Sequence, residues 1–190
     1  MGDLSLAYVT TPDKYMERGR AYASCMGGRR FVVAATTPGT ALGGQTSYSA
    51  TSPTFLIRPK PTATRALVLS NFTLSQVSPA AGDLLHIALV IDSTDRYSSA
   101  GTAFTPRSAN SDSSLTSDYE FYHNATASGE GAGTRFLYEW TQPVWLGCVF
   151  NPDFHDGVVI GPGGSILVYT WAAATAPTWI LGGFDVMEDG

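Results

Sequence analysis

From Arg29 onward, apolar residues recur at every second position in short segments separated by turn residues, and no helical period intervenes. That pattern restricts the chain to an all-β architecture, because a strand turns successive side chains to opposite faces. Asp83–Asp92 (DLLHIALVID) is the clearest segment. Leu85, Ile87, Leu89 and Ile91 share one face, and Leu84, His86, Ala88 and Val90 share the other. A strand apolar on both faces is predicted to be central and covered on both sides. Arg65–Val77 (RALVLSNFTLSQV) also alternates, but its phase moves at Asn71, from Leu67 and Leu69 to Phe72 and Leu74. A β-bulge or a strand bend produces such a change.

Further strands are predicted at Arg29–Ala35, Arg135–Trp140, Val144–Phe150, Gly157–Ile160, Gly163–Trp171 and Thr178–Met187. Thr46–Arg58 reads as a strand pair or one bent strand, with Pro53 at an edge or a break. Residues 93–134 are rich in Ser, Thr, Asn, Gly and Asp. They are predicted to form long loops or edge strands around one aromatic strand near Tyr119–His123. Nine or ten strands with no helix between them match an antiparallel β-sandwich or jelly roll.

The N-terminal segment differs. A helix is predicted over residues 11–27, with Thr11 as cap, Pro12 at its first position and Gly27-Gly28 at its end. Tyr15, Tyr22 and Met26 fall on one side of it, and Gly19 weakens its middle. The chain therefore divides into an arm, residues 1–28, carrying one short helix, and a sandwich domain, residues 29–190. Residues 1–65 hold eight basic groups and three acids, for a charge of +5, and the remainder carries −10. Lys14, Tyr15, Arg18, Arg20, Tyr22, Met26, Arg29 and Arg30 are the expected partner-binding residues. They precede the first convincing strand and can reach an acidic partner without removing core from the sandwich.

Composition bounds the function. At 190 residues the chain has room for one substantial core, with 44% apolar residues but only 14% charged ones, against a usual charged share of about 25%. A surface that poor in charge is expected in an assembly. A net charge of −5 opposes nucleic-acid binding. No apolar run is long enough to span a membrane. Met1-Gly-Asp-Leu-Ser lacks the basic start and apolar run of a signal peptide, so synthesis in a host cytoplasm is expected. Cys25 and Cys148 are then expected to be reduced and mostly buried.

No catalytic pattern stands out. Asp153, His155 and Asp156 in Asn151-Pro-Asp-Phe-His-Asp-Gly157 resemble metal ligands, but Asn-Pro and Asp-Gly are turn dipeptides, so a turn is predicted. His86, among apolar residues, is expected to be a core histidine, and His123 to lie near a loop. The serines lack a Gly-x-Ser-x-Gly elbow. Gly129–Thr134 and Gly161-Pro-Gly-Gly164 lack the lysine of a phosphate loop and read as turns. Glu120, Glu130 and Glu139 have no pairing that the sequence singles out. Trp140, Trp145, Trp171 and Trp179 are expected in the core or at a subunit interface rather than stacked on sugars. The chain is expected to be no enzyme and to hold no cofactor or metal.

Val158-Val-Ile-Gly-Pro-Gly-Gly-Ser-Ile-Leu-Val-Tyr-Thr-Trp171 is followed by an Ala/Thr/Pro loop and by Trp179-Ile-Leu-Gly-Gly-Phe-Asp-Val-Met-Glu188. This C-terminal stretch resembles the closing strands of capsid decoration (cement) proteins of tailed bacteriophages, small jelly-roll proteins with a fold similar to tumour necrosis factor. In that family a Pro-Gly-Gly turn precedes a long aromatic strand, and the last strand is acidic. The resemblance transfers no individual site residue. It implies a structural virion protein that binds the outside of a capsid as a homotrimer, with the major capsid protein or another virion subunit as partner. The competing reading is a tail or fibre-tip module that recognises carbohydrate or another surface receptor. A surface aromatic platform with adjacent carboxylates would distinguish it.

Overall fold

The computed structural model describes residues 20–78, 84–143, 148–173 and 175–189. Among them is one helix, α1 (Arg20–Met26), shorter than the helix predicted over 11–27; the rest of that prediction lies outside the described residues. Gly28, at φ +69°, ends it as the sequence suggests.

Fifteen strands follow among the described residues. They are β1 (Arg30–Val33), β2 (Ala41–Gly43), β3 (Phe55–Pro59), β4 (Ala66–Ser78), β5 (Leu84–Asp92), β6 (Tyr97–Ser99), β7 (Thr102–Phe104) and β8 (Arg107–Ser108). The series continues with β9 (Tyr119–His123), β10 (Thr126–Ala127), β11 (Arg135–Pro143), β12 (Val149–Phe150), β13 (Asp153–Ile160), β14 (Ser165–Ala172) and β15 (Thr178–Asp189). One sheet runs β12-β4-β15-β1-β8, with β13 also on β4 and β2 also on β15. The other runs β11-β5-β14-β3-β9-β7, and β6 and β10 form a separate pair. The eight principal strands are ordered β1-β15-β4-β13 in the first sheet and β3-β14-β5-β11 in the second. That alternation between antiparallel sheets is a jelly roll.

The central pair of the first sheet, β4 and β15, carries three irregularities: one at its end, where Thr178 pairs with Ser78 but Trp179 with Gln76, and two inner ones that offset each other. Asp185 pairs with Asn71 but Val186 pairs with Leu69, so Ser70 is an extra residue in β4. Leu181 pairs with Leu74 but Gly183 pairs with Thr73, so Gly182 is an extra residue in β15. Each bulge reverses the inward phase of its strand. Leu67, Leu69, Phe72 and Leu74 are all fully buried in β4, as are Trp179, Leu181, Phe184 and Val186 in β15. The phase change predicted at Asn71 is thus a bulge. Its counterpart needs glycine, because Gly183 sits at φ +148°.

Phe184 is the hub of the core between the sheets, with ring centroids 5.5 Å from Phe55, 5.5 Å from Phe72 and 6.1 Å from Phe121. A second cluster covers the outer face of the other sheet. Leu56, Ala88, Val90, Leu167 and Tyr169 are buried there beneath Ala125, Ala127, Tyr48, Tyr97 and Tyr122. β5 is therefore covered on both faces around Ala88 and Val90, as its alternation predicts, while its Leu84–His86 end stays partly open on the outer face. Residues 93–134 supply the edge strands expected of them. β8 pairs with β1 and β9 with β3, so this excursion closes one side of both sheets.

Several sequence expectations change. Thr46–Arg58 is irregular up to Phe55, because residues 44–52 cross the outer face and are held by isolated backbone hydrogen bonds at Gly44, Gln45 and Thr51 and by the Tyr48 ring, not by a continuous ladder. β11 extends beyond the predicted Trp140 end to Pro143, which an edge strand tolerates. Residues 153–157 are not a turn. Asp153, His155 and Asp156 belong to β13, where Asp153 pairs with Asn71 and regular pairing resumes only at Val158. The polar and glycine residues there form a wide bulge against β4.

Ion pairs gather at the end of the sandwich where β5 and β15 finish. Arg65 donates to Asp118 through Nε (2.9 Å) and Nη2 (2.7 Å), and Nη2 lies 3.0 Å from Glu188 Oε2. Glu188 is 1% exposed and accepts from the Ser117 hydroxyl and the Asp118 backbone N–H. Burial pushes its carboxyl above the ordinary value, against the pull of Ser117 and Arg65. Asp118, held by Arg65, lies below the ordinary value. Nearby, burial pushes Asp92 up, but hydrogen bonds from Arg96, Thr134 and Thr94 outweigh it and leave Asp92 low. Tyr119 donates to the carbonyls of Arg65 and Gly161, and burial pushes its hydroxyl up to about 12.

Two outcomes are expected. Phe184→Ala should cost about 3–5 kcal/mol and Gly183→Ala about 1–3 kcal/mol, both read by urea unfolding. The carboxylates give stability a maximum in pH. The contributions of Asp92 and Asp118 are lost as pH falls below the ordinary carboxylate range of about 4. Glu188 acts oppositely, since its raised folded value makes stability fall as pH climbs above that range. Thermal melts of Glu188→Gln should lack that decline, whereas Arg65→Met should cost about 3–5 kcal/mol by stranding the buried Glu188 and the half-buried Asp118. A decline that persists in Glu188→Gln assigns it to another group.

Candidate functional site

Three surfaces could carry function, and the expected N-terminal residues form only part of one. Lys14, Tyr15 and Arg18 lie outside the described residues. Arg20 opens α1, and Tyr22 and Met26, four residues apart on it, are 44% and 60% exposed. The helix places those two apolar side chains on one face. Arg29 and Arg30 are built into the sandwich instead. The Arg29 carbonyl accepts from the Glu188 N–H at 2.9 Å, and the Arg30 guanidinium grips Asp185 across β1 and β15. The Asp185 carboxylate thereby offsets the charge of Arg30. α1 itself is tied down, since Asn110 Nδ2 donates to the Met26 carbonyl and Ser108 to the Gly28 carbonyl.

The second surface is the open side of the sandwich. Opposite the side closed by β8 and β9, both sheets end in β11, β12 and β13. Phe136, Leu137 and Tyr138 of β11 are exposed there, with Val149 of β12 and Val159 of β13 at 63% and 53%. Between the sheets, half-buried rings close the gap. Trp140 stands 4.6 Å from Phe150, and Tyr138 stands 5.3 Å from Trp140 and 5.4 Å from Phe154. The sequence carries a sign of this. Phe136-Leu137-Tyr138 is a run of three apolar residues in a strand, and alternation allows at most two of them to face inward. The run became clear once pairing showed Leu137 to be the bulge residue, between Phe136↔Val90 and Tyr138↔Leu89.

The third surface is an aromatic recess on the outer face of the second sheet. Thr141, His86 and Trp171 are cross-strand neighbours on β11, β5 and β14. His86 is therefore not a core histidine. Its ring stacks on Trp171, at 4.8 Å and 2° between planes, with a quarter of the side chain exposed. His86 Nδ1 lies 3.2 Å from Thr141 Oγ1 and 3.6 Å from Glu139 Oε1. Tyr48 adds a wall: its ring lies 5.0 Å from Tyr169, 5.5 Å from Trp171 and 5.9 Å from Phe136, and its hydroxyl donates to Glu130. Burial and the Glu130 carboxylate raise the Tyr48 hydroxyl far above its ordinary value, so it stays a donor. The recess between Tyr48, Leu84, His86 and Trp171 has a volume of about 340 Å³.

The buried histidine is His123, at the end of β9 rather than in a loop. Its Nε2 lies 3.0 Å from the Gly43 carbonyl, and burial lowers its basicity. Trp179 is a core residue as expected, hydrogen-bonded to Thr170, while Trp145 lies outside the described residues. Cys25 and Cys148 are free thiols, half-buried. Among the described residues, no three His, Cys, Asp or Glu side chains are grouped to hold a metal ion. No helix there is long and apolar enough to cross a membrane. No known protein family, curated protein or solved structure matches the chain.

Proposed function

We propose that this chain is a structural virion protein of the capsid-decoration kind, which binds the outside of the shell as a homotrimer. The observation that carries this reading is the unclasped, apolar side formed by β11, β12 and β13 on a jelly-roll body. Exposed aromatic and β-branched side chains in one strip are the ordinary composition of a subunit interface. The bulge at Leu137 disturbs the outer edge of β11, so the contact is side-chain packing rather than one sheet extended through two copies. Packing of that strip onto a different face of the next copy is heterologous, and such contacts close into a ring when the rotation between copies closes. The resemblance of residues 158–188 to decoration proteins supplies the number three and the capsid as partner.

In this reading the arm, residues 1–28, docks the trimer to the particle. Tyr22 and Met26 provide the exposed apolar contact on α1. Lys14, Arg18 and Arg20 add positive charge for an acidic partner surface, each exposed pair contributing about 0–1 kcal/mol.

Light scattering at micromolar concentration should give three times the chain mass. Phe136→Glu with Val159→Asp, both at exposed positions, should give a folded monomer with an unchanged circular dichroism spectrum. A wild-type monomer would remove the oligomer from this proposal. Deleting residues 1–28 should leave a folded trimer that no longer co-sediments with its particle, and full-length binding should weaken only modestly at high salt. Normal binding by the truncated chain would move the contact to the sandwich loops.

A further inference from the structure

We infer that the recess beside Trp171 is a binding site for a neutral saccharide, a role that the structural reading above does not require. Three features of the recess point to this ligand class. Its walls are aromatic and held before any ligand arrives. His86 stacks on Trp171, and Tyr48 is fixed by its hydrogen bond to Glu130 and by contact with Tyr169. Rigid aromatic walls suit the apolar C–H face of a pyranose ring, and little ordering is needed on binding.

The rim is polar, which a purely apolar ligand would leave unused. Glu139, with 58% of its side chain exposed, stands beside the hydroxyl of Thr141 and the imidazole of His86. Thr46 and Ser47 are exposed on the opposite lip. Carboxylate, hydroxyl and imidazole groups around an aromatic wall can each exchange a hydrogen bond with a sugar hydroxyl.

Charge selects among sugars. The Glu139 carboxylate stands at the rim, 3.6 Å from His86 Nδ1, and the chain is −5 overall. A sialic acid, a uronic acid or a phosphate would meet like charge, whereas a hexose or N-acetylhexosamine would not. At about 340 Å³ the recess falls at the small end of the about 300–1,000 Å³ typical of ligand pockets, which suits recognition of a terminal sugar.

The test uses the full-length protein on an array of neutral, sialylated and sulfated glycans, followed by tryptophan-fluorescence titration of any glycan retained. Neutral hexose- or N-acetylhexosamine-terminated glycans should bind, and sialylated and sulfated ones should not. Glu139→Gln and Thr141→Ala, both at exposed positions, should keep the fold and weaken binding about threefold to tenfold, the loss of one hydrogen bond. Trp171→Ala should weaken it by more than about tenfold, and Arg107→Ala, across the molecule, should leave it unchanged. The inference is overturned by an array on which no neutral glycan is retained, or on which only acidic glycans are. It is equally overturned by neutral-glycan binding that Glu139→Gln and Thr141→Ala leave intact.

Discussion

The fold depends on the long ladder between β4 and β15, whose two inner bulges offset one another. A single extra residue in either strand would turn half of its apolar side chains toward solvent. With Ser70 extra in β4 and Gly182 extra in β15, both strands reverse phase and the inward face stays apolar along the pairing. The aromatic hub at Phe184 is possible only because of that double change, which brings it opposite Phe72 and against Phe55 and Phe121. Sheet curvature, the shape of the core and the site where β13 bulges away from β4 follow from the same pairing.

A chain with so few charges places them unevenly. Arg58, Arg65 and Arg96 hold Asp95, Asp118, Glu188 and Asp92 at one end of the sandwich, so these charges are engaged within the protein's own structure. Buried ion pairs of this kind fix which strand ends and loops meet more than they add net stability. Glu188 ties the last strand to the loop before β9, and Arg65 ties the start of β4 to the same loop. The other surfaces are left with hydroxyls, small residues and exposed rings. Those are the surfaces on which both the subunit contact and the saccharide site are proposed.

The two sides of the sandwich are finished in different ways, and the difference separates the two proposed roles. The excursion of residues 93–127 covers β1 and β3, and the small β6–β10 pair covers half of the outer face of the second sheet. Among the described residues, the strip along β11, β12 and β13 receives no such cover, nor does the recess where Tyr48 and Trp171 meet. The strip is broad and aliphatic, with rings behind it, which suits protein packing. The recess is smaller and aromatic, with the Glu139 carboxylate beside His86, which suits a small ligand with one apolar face.

The sequence by itself determined the class of fold, because alternation is a local property of each strand. The covered faces of β5, the bulge near Asn71, the aromatic strand at 119–123 and the edge character of 93–134 could all be read from residue order. Only tertiary structure decided the rest. Whether the Asn151–Gly157 polar cluster turns or bulges depends on the neighbouring strand, since β4 offers it a partner that turn dipeptides do not reveal. His86 and His123 exchanged their expected roles because burial depends on what lies above each strand, and the covering segments come from distant parts of the chain. The recess is the clearest example: Tyr48, His86, Glu139 and Trp171 share no motif or spacing. They meet because β5 lies between β11 and β14 while residues 44–48 cross the same face, and the physics of pairing and covering acts across sequence distances that no local pattern records.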